Sequence, residues 1–335
     1  ARVTQLPGYP ASPPTAAAVP VSTQIQQLMA KGPLDGNAMY SVWAGANDLF
    51  TQLTAANAGT ITAAQAQANV ALAATQLAQQ VGALRGQGAQ YILAWNVPDL
   101  GKTPAFAGTA GAATASAITG LFNSTFFSAL DVTGIPVIRL NALGLLNEVV
   151  SNPSAFGLVN ASAPACGATP SLLCTSANLV NPTAASTYAF ADGVHPTTAG
   201  YALLAQYAAS VVLAPQQVGV LAEVPLATER ANWRALDGRM FSSINTRPMG
   251  KFEAWAAYDY SANDFSGSFM SDGDGNLNML AVGGDIKLSP HLIAGMMAGL
   301  SQNKGDYGSA SFKLNQTTGT VYVGSGTGVF AIAPN

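Results

Sequence analysis

Hydrophobic residues in this chain keep two different periods, and the change comes near Gly250. Before it, short bulky apolar runs alternate with longer stretches whose apolar residues recur at helical spacing. Residues 38–44, 91–96 and 135–140 are the short runs, the first bounded by Asn37 and Gly45. Such runs, apolar throughout, predict strands covered on both faces, as in a parallel sheet. Helical spacing predicts helices over residues 21–31, where Ile25, Leu28 and Met29 share a face, and over 62–84, 113–130, 143–150 and 201–214. The last is the most apolar and is expected to be a buried core helix. Strand alternating with helix is the pattern of an α/β domain with a parallel sheet flanked by helices. Residues 1–20 are Pro-rich and aperiodic, which predicts an extended surface segment.

Residues 216–243 set Leu221, Val224, Leu226, Trp233 and Leu236 among Glu223, Glu229, Arg230, Arg234, Asp237 and Arg239. The mixture predicts a linker helix, broken at Pro225, that joins two domains or threads a pore. From Gly250 onward the period is two. Phe252, Ala254, Ala256, Tyr258 and Tyr260 fall on one face, with Lys251, Glu253 and Asp259 on the other. Leu280, Val282, Gly284, Ile286 and Leu288 repeat the alternation, as do Leu292, Ala294, Met296, Ala298 and Leu300. Strands of about 9 to 11 residues with turns such as Ser271-Asp272-Gly273-Asp274-Gly275 fit an outer-membrane barrel, of which the tail offers about four strands. An ordinary antiparallel sheet gives the same alternation. The expected organisation is an α/β domain over 1–214, a linker helix over 215–246 and an incomplete antiparallel β-domain over 247–335.

Composition narrows the class. Hydrophobic residues make up 49% of the chain and charged ones only 9%, against about 25% charged in an ordinary soluble domain. That bias fits secreted and outer-surface bacterial proteins. The net charge of −3, with no Lys/Arg cluster, argues against nucleic acid as a partner. No apolar run approaches the about 18 residues of a membrane-spanning helix. Two cysteines, Cys166 and Cys174, cannot build a thiolate metal cage. Lying close together in a loop rich in Pro, Ser and Ala, they fit a local disulfide outside the reducing cytosol, or else a free buried pair. The chain opens on Ala1-Arg2-Val3 without an initiator methionine or export signal and closes after a glycine-rich stretch, so a fragment is expected.

Two stretches carry candidate chemistry. In Phe190-Ala191-Asp192-Gly193-Val194-His195-Pro196-Thr197-Thr198, one of only two histidines follows a carboxylate by three positions, and Pro196 with two threonines announces a helix start. Asp192 can hold one imidazole nitrogen and fix the tautomer, while the other nitrogen of His195 takes a proton from a nucleophile. A helix cap or an ordinary surface histidine would look the same. Gly45-Ala46-Asn47-Asp48 follows the first strand, at the carboxyl end where open parallel sheets bind ligands. Asn47 could aim its amide N–H at a developing oxyanion; an Asx turn, with Asn47 and Asp48 bonding their own backbone, is the structural alternative.

Together, Tyr40-Ser41-Val42-Trp43-Ala44-Gly45-Ala46-Asn47-Asp48 and Asp192-Gly193-Val194-His195-Pro196 resemble two conserved blocks of the GDSL, or SGNH, hydrolase family. With the alternating tail, the chain is similar to the autotransporter esterases, in which a secreted GDSL passenger precedes a linker helix and an outer-membrane barrel. The resemblance implies carboxylic ester hydrolysis by serine acylation and deacylation, without metal or cofactor, at the surface of a Gram-negative bacterium. It implies His195 as general base, Asp192 as its orienting acid and Asn47 as an oxyanion-hole donor, acting on a lipid or acylated small-molecule ester. The family's nucleophile sits in a Gly-Asp-Ser-Leu block that this sequence does not contain. Its oxyanion glycine is expected to be missing too. Ser41, Ser186 and Ser325 do not replace the nucleophile, the first two because neither has flanking glycines, the third because it lies in the tail. The expectation is therefore an esterase truncated at both ends and inactive as it stands. The alternatives are a non-enzymatic adhesin or glycan-binding passenger on a β-domain, and a soluble two-domain hydrolase whose β part is a sandwich.

Overall fold

The structure is a computed structural model that describes residues 2–3, 19–241, 247–267, 270–308, 310–325 and 328–332. Most of the Pro-rich segment expected at the surface lies outside the described residues, as do 242–246 and 333–335. The fold is α/β with a parallel sheet, together with a separate antiparallel sheet. The chain divides into two compact units, residues 1–211 and 212–335.

In the first unit, strands β1 (Met39–Val42), β2 (Tyr91–Trp95) and β3 (Ile138–Leu140) form a parallel sheet in the order β1-β2-β3. Residues 92–95 of the central strand are all buried, as a strand covered on both faces must be. The third strand starts three residues later than its apolar run, beyond Pro136, which has no N–H to give a ladder. Helices α1 (Val21–Met29), α2 (Ala46–Asn57), α3 (Ala63–Gly86) and α4 (Ala112–Thr133) contribute to the main core with β1 and β2. Thr62 caps α3 in a reciprocal box with Gln65, and Val70, Ala73, Ala74, Leu77, Ala78 and Val81 line its buried stripe. Helix α5 (Ala142–Ser151) follows β3. Strands β4 (Asn160–Pro164) and β5 (Tyr188–Phe190) form a second, two-stranded parallel ladder, with the short helix α6 (Ala184–Thr187) just before β5.

Helix α7 (Thr198–Phe241) is a single element of 44 residues that runs through both Pro215 and Pro225. The expected break at Pro225 is therefore absent; a proline removes one helical hydrogen bond, and the flanking turns carry the helix on. The division between the units falls inside it, after Val211. Residues 201–214 are not the buried core helix that their apolarity predicts. None of them is buried, and Tyr201 and Leu213 are largely exposed. By length and composition alone, α7 is long and apolar enough to cross a membrane, contrary to the expectation that no apolar stretch comes near that length.

The second unit is an antiparallel meander of β6 (Phe252–Gly267), β7 (Met270–Ser289), β8 (Leu292–Tyr307), β9 (Ala310–Ser325) and β10 (Gly328–Ile332). Its first four strands have 16 to 20 residues, well beyond the expected length. The stretch Ser271–Gly275 is not a turn: Gly273 pairs with Phe265 and Gly275 with Asn263 inside the β6–β7 ladder. The alternation sorts the faces in an unusual sense. Phe252, Tyr258, Tyr260, Leu280, Met296 and Leu300 are exposed on one face. The other face meets the second half of α7, where Ala231, Leu236 and Met240 pack on Leu277, Met279, Ile293 and Tyr322. That covered face also carries charge. The carboxylate of Asp285 accepts from Arg239, Arg247 and Tyr322, and Arg239 also donates to Glu253.

Candidate active site

The site lies at the carboxyl end of β1 and in the turn after β5. Residues 43–45 carry the chain from β1 into α2, and Gly45 takes φ of 120°, outside the range of ordinary side chains. A Cβ there would also stand 2.3 Å from the ring of Phe122. This tight entry puts Asn47 in the first turn of α2, on the wall of a cleft. The buried carboxylate of Asp48 reaches beyond its own turn, accepting the backbone N–H of Val3 at 2.8 Å.

The second half of the site is built by a small closed turn. The N–H of Ala191 donates to the carbonyl of His195 at 2.7 Å, and Phe190 bridges to Pro196. Thr197 accepts the Gly200 N–H and so caps the start of α7. Within this turn, Nδ1 of His195 lies 2.9 Å from each oxygen of Asp192. Asp192 Oδ1 also accepts the N–H groups of Val194 at 3.0 Å and His195 at 2.8 Å, and Oδ2 accepts that of Ser171 at 2.8 Å. Burial pushes the Asp192 carboxyl up, but these backbone donors and the ring of His195 outweigh it and hold it well below the usual carboxylate range. Accessibility separates the pair: the Asp192 side chain is 15% exposed and that of His195 57%. The carboxylate is enclosed while the imidazole reaches the cleft. With the proton on Nδ1, Nε2 of the ring can accept one.

Cys166 and Cys174 are joined in a disulfide that encloses Ser171. The residue pattern holds no sign of the Ser171 N–H on Asp192, because a backbone donor leaves no mark on residue type.

The cleft has a volume of about 470 Å³. Asn47, Gly45 and His195 line it together with Trp43, Phe50 and Val97. Leu145, Leu146 and Val149 on α5 and Leu203 and Leu204 on α7 form a further apolar wall that sequence reading did not single out. Their spacing on one face of α5 was the available signal. Among the described residues that line the cleft, none is a serine, and none besides His195 is a His, Lys, Arg, Asp or Glu. Ser41 accepts from the Trp95 indole, Ser186 donates to the Thr183 carbonyl, and Ser325 lies in β9 of the second unit. Among the described residues, no cluster of His, Cys, Asp and Glu is arranged to hold a metal ion.

The model of the GDSL-like lipase/acylhydrolase family matches residues 11–208. An uncharacterized protein from the trpE-trpG intergenic region of Pseudomonas putida is 30% identical over 292 residues, covering 84% of this chain and 46% of that protein. Esterase EstA of Pseudomonas aeruginosa is 32% identical over 251 residues, covering 70% of this chain and 38% of the esterase. Lipase 1 of Photorhabdus luminescens is 28% identical over 123 residues, 36% of this chain and 19% of the lipase. The chain thus spans less than half the length of these relatives.

Proposed function

Because the chain belongs to the GDSL-like lipase/acylhydrolase family, we propose that it is part of a serine-type carboxylic ester hydrolase in which Asp192, His195 and Asn47 act together. The observation that carries the proposal is the His195 ring, held by Asp192 at 2.9 Å beside an apolar cleft that Asn47 also lines. In the proposed reaction, Nε2 of His195 takes the proton of a serine hydroxyl as its oxygen bonds to the ester carbonyl carbon. The Asn47 amide donates to the resulting oxyanion. The C–O bond to the alcohol then breaks, and His195 returns the proton to the leaving oxygen. Water repeats the sequence on the acyl-serine and releases the acid. Asp192 remains ionised throughout and stabilises the imidazolium. The apolar walls favour a neutral ester carrying a hydrocarbon group over a charged substrate.

The serine itself is proposed to come from a Gly-Asp-Ser-Leu block outside these 335 residues, since the sequence has no such block and no serine among the described residues lines the cleft. The 335-residue polypeptide should then show no turnover of short-chain nitrophenyl esters. A longer version carrying the block should turn them over and lose activity on His195→Ala. Turnover by the 335 residues alone would refute the external nucleophile, and an inert longer protein would refute hydrolysis. That no serine among the described residues lines the cleft also favours a second reading, a non-enzymatic surface adhesin or glycan-binding module, for which Asp192→Asn and His195→Ala would leave the cellular role unchanged.

The second unit is proposed to be an outer-membrane β-domain that presents the first at the surface of a Gram-negative cell, as a passenger of the autotransporter kind. The outward apolar face and the charged, helix-covered face of the sheet support it. Lipid tolerates no unpaired strand edge, so the proposal requires partners for β6 and β10 beyond the five strands described.

A further inference from the structure

We infer that the Cys166–Cys174 loop is a clamp for Asp192, holding the backbone N–H of Ser171 on Oδ2 and thereby fixing the plane of the carboxylate that orients His195. Its catalytic meaning rests on the hydrolase reading; its geometry does not. The donors to Asp192 among the described residues divide by origin. Val194 N–H, His195 N–H and the His195 ring all belong to its own turn. Ser171 N–H comes from 21 residues upstream. Without it, the carboxylate would be held only by the turn whose histidine it is meant to orient.

What keeps Ser171 in place is covalent rather than hydrophobic. Leu172 and Leu173, which follow it, are 95% and 71% exposed. Their burial therefore contributes little to fixing the loop. One end of the loop is anchored: Cys166 is buried, and its N–H donates to the Ala191 carbonyl at 2.8 Å, next to Asp192. The disulfide ties the other end, Cys174, back to that anchor. Short turn bonds, Thr169 N–H to the Cys166 carbonyl and Leu173 N–H to that of Pro170, bring Ser171 round to the carboxylate. Opening the bond leaves residues 170–179 held by short turn bonds and, at their far end, by the Val180 N–H on the Ala165 carbonyl at 2.8 Å, so the stretch around Ser171 regains conformational freedom between two distant anchors.

The chain allows a direct test, because it has only two histidines. Proton–nitrogen NMR of the oxidised 335-residue protein should show a far-downfield Nδ1–H resonance that His195→Gln removes and His291→Gln leaves. Ser171→Ala keeps the N–H and should leave that resonance unchanged. Ser171→Pro removes the N–H together with the hydroxyl, whose loss Ser171→Ala controls for; Pro170 already has φ −58° and ψ 144°, which suits a following proline at the first helical position. In Ser171→Pro, in the Cys166→Ser/Cys174→Ser double variant, and after reduction of the wild type by dithiothreitol, the Nδ1–H should exchange with water at least tenfold faster. In the last case the dithiol supplies two electrons and two protons and becomes the cyclic disulfide. Unchanged exchange after reduction and in either folded variant overturns the clamp. An inert serine-containing protein that still shows these exchange changes would overturn the hydrolase reading and leave the clamp standing.

Discussion

Asp192 keeps its charge through hydrogen bonds rather than through exposure, and this fixes how it contributes to stability as pH changes. Its folded carboxyl binds a proton less readily than in the unfolded chain, where the value is about 3.9. The contribution is therefore complete above that value and is lost as pH falls through the lower folded one. Asp192→Asn should cost the first unit about 1 to 3 kcal/mol at pH 7, since charged hydrogen bonds are replaced by poorer ones. The deficit should shrink between pH 4 and pH 2, as the wild-type carboxylate is protonated on unfolding, about 3.9 being where that begins. Denaturant titrations of both proteins at neutral and acid pH measure it, and a deficit independent of pH would refute the assignment. The geometry of Asp192 and His195 was legible in sequence because both lie in one turn, three positions apart. Asn47 was legible as the first turn after an apolar strand. Asp48 was not: its carboxylate meets Val3, across 45 positions, and no local pattern carries that information.

At the scale of the element, α7 shows where sequence punctuation misleads. A proline weighs heavily in a local reading, yet the helix continues through two of them. In the second unit that continuity is supported by the sheet: Val220 and Val224 pack with Phe265 and Tyr307, and Ala231 and Leu236 pack with Met279 and Ile293. The charges scattered through residues 216–243 fall into place in the same way. Arg234 pairs with Asp259, and Arg239 and Arg247 share Asp285 with the Tyr322 hydroxyl. Residue type showed that these charges were unusual for an apolar chain; only the long-range β-pairing shows what they face. Asp285 is almost wholly buried, so removing it leaves two enclosed guanidinium groups short of their counter-charge. Asp285→Ala should destabilise the second unit by about 3 to 5 kcal/mol, the usual cost of breaking one side of a buried ion pair. Thermal unfolding of wild type and variant under one detergent condition checks this, and a change below 1 kcal/mol would show that solvent reaches the cluster, since exposed pairs contribute only about 0 to 1 kcal/mol.

For the whole molecule, the change of hydrophobic period near Gly250 was the most informative single feature, since it separates α/β alternation from an antiparallel meander. It underestimated strand length because residues 271–275, rich in Gly and Asp, read as a turn while their ladder pairing continues. It also left open which face of the sheet is solvated. In a sheet packed for water, the aromatic and aliphatic set would be covered and the charges exposed. Here Phe252, Tyr258, Leu280, Met296 and Leu300 point outward, and Asp285, Lys287 and Asn303 are buried on the other side. That inversion is what a lipid-facing barrel wall requires, with polar groups turned to the interior. A charge placed on the outer face, Leu280→Arg or Leu300→Arg, should then cost about 2 to 4 kcal/mol if the site lies near the bilayer midplane, and less toward the interfaces. The same substitutions in an aqueous sheet would cost almost nothing and would improve solubility. Expressing the full-length protein with and without them, and following its fractionation and its need for detergent, distinguishes the two. Wild-type protein that stays monomeric in buffer without detergent, with the arginine variants equally stable or more soluble, would make the second unit a soluble β-domain whose apolar face is covered by another part of the protein.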